Sequence, residues 1–176
     1  MFFLSYDILG DSMKVDINDN KIVVFLNKKN IDNIDFSDKK NLERNFKDLF
    51  LKLNHLYDIP LYGYYDVHVY INDHYGLILD IEKENFEYFD YDNQIDMRIT
   101  ISKNNELLYK LDDLLDIDKN IINKSIIYKC KKELYLNIKE EFDNYEMGKL
   151  FEYSTLIYGP EADNIIKHGK LVERFF

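Results

Sequence analysis

The sequence predicts an α+β protein of two small domains, each an antiparallel sheet with helices on one face, of β-α-β-β type. Two observations carry this expectation. Strand, helix, strand and strand patterns follow one another between Met13 and Lys83, and a similar alternation returns from Met97 onward. Between them lies "ENFEYFDYDNQID", which carries Glu84, Glu87, Asp90, Asp92 and Asp96 but no Lys or Arg. Such a like-charged stretch repels itself and reads as a connector. The expected layout is residues 13–83 as the first domain, 84–96 as an acidic linker and 97–176 as the second domain. The leading stretch "MFFLSYDILGDS" is apolar but short, contains Asp7 and has no basic n-region. It is expected to be neither a signal peptide nor a membrane span, and Met13 reads as a start in its own right, leaving 1–12 as an extension.

In the first domain, "KIVVFLN" (Lys21 to Asn27) is a β-branched apolar run of strand length after the turn-forming "NDN". Ser37 is positioned to cap a helix, with Asp38 in its first turn where the dipole favours an anion. Leu42, Phe46, Leu49, Phe50, Leu53 and Leu56 recur at three- and four-residue steps, which predicts an amphipathic helix to about Tyr57, ended by Pro60 and Gly63. "YDVHVYI" and "GLILDIE" alternate as strands around the turn-rich "NDHYG".

In the second domain, "DMRITIS" reads as the opening strand. Ser102 or Asn104 then caps a helix through Leu107, Leu108, Leu111, Leu114 and Leu115. "SIIYKCKKELYLNI" reads as two short strands around "KCKKE". "EEFDNYEMGKLFEY" reads as a helix with Phe142, Tyr145, Leu150 and Phe151 near one face. The last pattern, "IYGPEADNIIKHGK", has the grammar of a short capped helix. Pro160 suits the first position, Glu161 and Asp163 the positive end, Lys167 and His168 the last turn, and Gly169 a left-handed cap. His168 is therefore read as a helix-end group and not as a catalytic one.

Composition excludes some functions. The 176 residues are 46% hydrophobic and 15% aromatic, enough to build real cores, and the aromatics are 15 Tyr and 12 Phe with no Trp. A net charge of −10 argues against binding driven by nucleic-acid phosphates or by an anionic membrane surface. The charge is uneven: −5 falls in the connector, against −2 for residues 13–83 and −1 for 97–176. The lone cysteine, Cys130, cannot form an intramolecular disulfide, which fits a reducing cytoplasm.

The sequence holds no dinucleotide or phosphate-binding glycine loop, no H-E-x-x-H and no G-x-S-x-G. "DIDKN" and "DINDN" open like calcium loops, but Ile121 and Lys21 stand where the turn glycine belongs. His68 and His74 flank a hairpin without a cysteine pair, and His68 alternates with Val67 and Val69 onto the solvent side. No metal, no cofactor and no enzymatic activity is expected.

Several segments resemble the MecA adaptor proteins of low-GC Gram-positive bacteria. "MKVDINDNKIVVFL" is similar to the family's opening strand pair, and "FKDLFLKL" with "YDVHVYINDHYGLILDI" to its helix and closing hairpin. "IIYKCKKELYLNI", "LFEYSTLIYG" and "KHGKLV" resemble parts of its C-terminal domain. The connector is shorter and less acidic than the family's. The resemblance implies a cytoplasmic, non-enzymatic adaptor whose N-terminal domain captures a substrate protein and whose C-terminal domain docks on an AAA+ unfoldase of the ClpC type. Exposed aromatics are then the expected protein-binding residues: Tyr62, Tyr64 and Tyr65 before the hairpin, and Tyr153 and Tyr158 with Glu161 near the C-terminal stretch. The alternative is a stand-alone regulatory or structural binding module with the same fold and no unfoldase.

Overall fold

The computed structural model describes residues 13–18, 20–31, 34–58, 62–72, 75–84, 94–113 and 117–172. The expected extension at 1–12, positions 85–93 of the expected connector, Pro60, His74, Leu114 and Leu115 lie outside them. The α+β class holds: the strands form two five-stranded sheets, and helices pack on them.

In the first unit, β1 (Met13–Asn18) and β2 (Lys21–Asn27) form a tight hairpin, followed by the single turn α1 (Lys28–Ile31). Then come α2 (Lys39–Tyr57), β3 (Gly63–Asn72), β4 (Gly76–Glu84) and β5 (Ile95–Lys103), and the sheet order is β1-β2-β4-β3-β5. Helix α2 buries Leu42, Phe46, Phe50 and Leu53 against Val15, Val24, Val67, Val69, Leu79 and Ile81 of the sheet. Each such side chain contributes about 1.5–3 kcal/mol relative to exposure. The N-cap of α2 is Asp38, whose carboxylate accepts from the Lys40 and Asn41 amides at 2.9 and 3.4 Å. This corrects the expected cap at Ser37, whose amide and hydroxyl both donate to Asp35. The charged Asp38 side chain wins because its carboxylate meets two unsatisfied amides at the positive helix end. At the start of β4, Gly76 sits at φ 113°, and a Cβ there would lie 2.2 Å from the Leu26 carbonyl oxygen. Only glycine permits this close approach.

Strand β5 departs from expectation. It was expected to open the second domain at Met97, but it is the edge strand of the first sheet beside β3. Its contacts advance with those of β3, from Gly63 and Gln94 to Asp66 and Arg98 to His68 and Ser102, so the two strands run parallel. Ile95, Met97, Ile99 and Ile101 face the core beneath α2. The boundary between the two compact units consequently falls at Ser102 and Lys103.

The second unit runs β6 (Leu107–Leu111), α3 (Lys119–Asn123), β7 (Ser125–Cys130), β8 (Glu133–Ile138), α4 (Asn144–Glu152), β9 (Ser154–Tyr158), α5 (Gly159–His168) and β10 (Lys170–Val172). Its sheet order is β10-β7-β8-β6-β9. The leucines from Leu107 to Leu111, expected on a helix, form the interior strand β6. Leu107, Tyr109 and Leu111 point to one face and Leu108 to the other, and all four are buried. A strand covered on both sides needs no alternation, so its apolar run mimics a helical pattern.

The helices of this unit divide between the two faces rather than sharing one. Helix α5 sets Ala162 and Ile165 against Leu108, Tyr135 and Tyr128, while Phe151 of α4 meets Tyr109 on the other side, ring centroids 6.3 Å apart. Asp143 and Glu146 form a reciprocal capping box at the start of α4. The C-cap Gly169 is extended, at φ −71°, and not left-handed as expected. Glycine is required there by space, since a Cβ would lie 2.5 Å from the Ile165 carbonyl oxygen.

Candidate functional site

The six expected binding residues fall in four places. Tyr62 is 39% exposed just ahead of β3, and Tyr64 is half-buried on the sheet face away from α2. Tyr65 alternates inward instead. It is 2% exposed, packs edge-to-face on Phe50 at 5.1 Å between centroids, and donates its hydroxyl to the Tyr62 carbonyl at 3.4 Å. Burial pushes its phenol up to about 12. Tyr65 is thus a core residue and cannot meet a partner, because strand alternation assigns neighbours to opposite faces. Tyr153 caps the C-terminus of α4 at one end of β9, half-buried under Lys149, whose Nζ lies 5.4 Å from the ring centroid. Tyr158 closes the other end of β9 and is the N-cap of α5. Exposed Glu161 sits in the first turn of α5, three residues on. Tyr62 and Tyr64 therefore share a location, as do Tyr158 and Glu161, while Tyr153 is separated from Tyr158 by the length of a strand. His168 is exposed in the last turn of α5, as its position in the sequence implies.

The structure also assembles polar groups that the sequence reading did not join. On the face of the first sheet away from α2, His68 of β3 and Ser102 of β5 meet with Nε2 and Oγ 2.9 Å apart. The His68 ring stacks on Tyr70, centroids 4.3 Å apart and planes within 3°, and Asp80 of β4 is its cross-strand partner. One step along, Arg98 of β5 grips both oxygens of Asp66 through Nε and Nη2. The hydrogen bond from Arg98 holds the Asp66 carboxyl below the usual carboxylate range, and partial burial opposes it. Lys21 of β2 reaches Asp80 at 2.8 Å and Glu82 at 3.4 Å. Burial pulls Lys21 down, but these two carboxylates outweigh it and the net shift is upward.

A hydroxyl within hydrogen-bond reach of an imidazole is the start of a nucleophilic site, which further requires donors placed for an oxyanion and room for a substrate. Here the half-buried imidazole is stacked on the Tyr70 ring and tied at its edge to Ser102. The arrangement fastens the parallel edge strand β5 to β3. The only sequence signal for it was the polar alternation of Asp66–His68 and Arg98–Ser102 on two separate strands.

In the second unit, Glu146 is 8% exposed and takes both oxygens to Lys124 Nζ at 2.8 Å. That hydrogen bond raises the Lys124 ammonium above its ordinary value. Lys124 also lies 5.5 Å from the centroid of the Phe142 ring. These contacts lock the start of α4 onto the chain ahead of β7.

Among the described residues no group of three or more His, Cys, Asp or Glu side chains is arranged to hold a metal ion. No helix among them is long and apolar enough to cross a membrane. No protein-family model, curated protein or solved structure matches the chain.

Proposed function

We propose that this chain is a two-headed protein-binding adaptor. The observation that carries the reading is the division into two compact units, each with its own five-stranded sheet and its own buried core. Two separately folded units on one chain can hold two partners at once. Tethering then raises the effective concentration of one partner at the other, so that each contact can be weak. The exposed Tyr62 and the Tyr158–Glu161 corner of α5 provide one contact candidate per unit. The segments that resemble the MecA family supply the partner class: a substrate protein for the first unit and a ClpC-type AAA+ unfoldase for the second. Free Cys130 fits a reducing cytoplasm as the place of work.

The test is to titrate the intact chain into a ClpC-type unfoldase and to follow ATP hydrolysis and binding. Binding with stimulated hydrolysis is expected. Replacing Tyr158 and Glu161 together by alanine should weaken it by at least about 30-fold, the ~2 kcal/mol of a surface hot spot. An intact chain that leaves both hydrolysis and binding unchanged overturns the unfoldase partner and leaves the stand-alone binding module.

A further inference from the structure

Although the chain carries a net charge of −10, one edge of the second sheet is basic. Lys129 of β7 and Lys170 of β10 are register partners, so two like charges face each other directly across the ladder. That placement costs stability. Lys131 and Lys132 form the turn between β7 and β8, with Lys131 at φ 55°, and Lys167 with His168 ends α5 immediately ahead of β10. All six side chains are exposed. Among the described residues none of the five lysines enters an ion pair. Among the described residues Glu133, which follows the lysine turn, is held by Lys110 at 3.4 Å, and Asp112 and Asp113 follow β6 on the far side of β8.

The same edge has an apolar and a main-chain component. β10 is only three residues long and is the edge strand of its sheet, with β7 as its neighbour. Its middle residue, Leu171, is 55% exposed. Lysines at an edge normally discourage strand pairing, but they do so only against neutral or cationic strands. An acidic strand meets attraction instead.

We infer that the β10 edge is a docking site for an acidic, extended peptide segment of a partner protein. The peptide adds as a further strand beside β10. Its carboxylates face Lys170, Lys129 and the lysine turn, and an apolar side chain covers Leu171. A peptide fits better than a nucleic acid for two reasons. Only a peptide can continue the main-chain ladder, and the −10 net charge opposes a long polyanion while a short acidic segment is held by the local field. The inference does not depend on the identity of any unfoldase.

The test uses the intact chain and a fluorescently labelled peptide of alternating Glu and Val, with a Lys–Val peptide and a single-stranded DNA oligonucleotide as comparisons. At low salt the acidic peptide should bind saturably and the Lys–Val peptide should not, with affinity falling as salt is raised. The double variant K129E/K170E should bind it at least about 10-fold more weakly, and K129Q/K170Q should fall between the two. Unchanged or raised melting temperatures are expected for K129E alone, since it replaces a like-charge pair by an opposite one. Amide exchange at residues 170–172 should slow when peptide is bound. Failure of the acidic peptide to bind, or equal binding by K129E/K170E, overturns the site. Binding without slower exchange at 170–172 overturns strand addition, and tighter binding of DNA than of peptide overturns the choice of partner.

Discussion

Ser102 Oγ and His68 Nε2 lie 2.9 Å apart across 34 positions of sequence, and they join the last strand of the first unit to its neighbour β3. Since β5 is an edge strand with one ladder, side-chain ties carry an unusual share of its attachment. S102A should cost about 0.5–1.5 kcal/mol, the usual worth of one hydrogen bond. Amide exchange should accelerate along β5 before it does in β2 or β4, which are paired on both sides. Uniform acceleration across the sheet would show that the tie serves the whole unit and not the edge.

The neighbouring pair, Asp66 and Arg98, sets a pH dependence. Arg98 holds the Asp66 carboxyl below its unfolded value. A depressed folded pKa means that the stabilisation is present above the unfolded carboxylate value of about 3.9 and is lost as pH falls through the lower, folded one. Both side chains are partly exposed, so solvent screening keeps the contribution small. D66N should flatten the loss of stability at the acid end in denaturant titrations, and it should change the neutral-pH value little. An unaltered acid slope would remove Asp66 from the account.

Tyr65 gives the opposite end of the pH scale. Its phenol is pushed up to about 12 by burial, against about 10 in an unfolded chain. The neutral ring's stabilisation is therefore complete below pH 10 and is lost as pH rises toward 12, on the order of 2–3 kcal/mol in all. Y65F should remove part of that alkaline decline. It should stay within about 1.5 kcal/mol of the parent at neutral pH, whereas Y65A should lose about 3–5 kcal/mol through the cavity beside Phe50. A Y65A protein of parental stability would contradict the core position.

The start of α2 discriminates two adjacent residues. D38A should destabilise the protein by about 1 kcal/mol, because the Lys40 and Asn41 amides lose their acceptor. S37A should fall within about 0.5 kcal/mol of the parent, since Ser37 donates only to the exposed Asp35. Thermal melts of the two variants, side by side, decide which residue caps the helix.

The expected binding residues show how far a sequence can reach toward a site. Tyr62 is at the surface as expected, but Tyr65, three positions on, is in the core, and Tyr153 and Tyr158 stand at opposite ends of β9. Composition marks a tyrosine as able to serve either place, and only the phase of the strand decides between them. The lysine edge was equally hidden. Lys129 and Lys170 are far apart in the chain, and nothing in "YKCKKE" or "KHGKLV" alone says that they share a ladder.

What the sequence determined by itself was local. The three- and four-residue spacing from Leu42 to Leu53 specified α2. The alternation through "YDVHV" and the turn-rich "NDHYG" ahead of the apolar "GLILDI" specified the hairpin of β3 and β4. Pro160 and the charges around it likewise placed α5. The tertiary structure decided membership and partnership. The row Ile95, Met97, Ile99 and Ile101 states that one face of β5 is buried but not in which core, so its place in the first sheet followed only from the packing beneath α2. The run from Leu107 to Leu111 became a strand because its neighbours β8 and β9 supply hydrogen bonds on both sides and the helices α4 and α5 cover both faces. A short apolar segment has no period of its own strong enough to resist that environment.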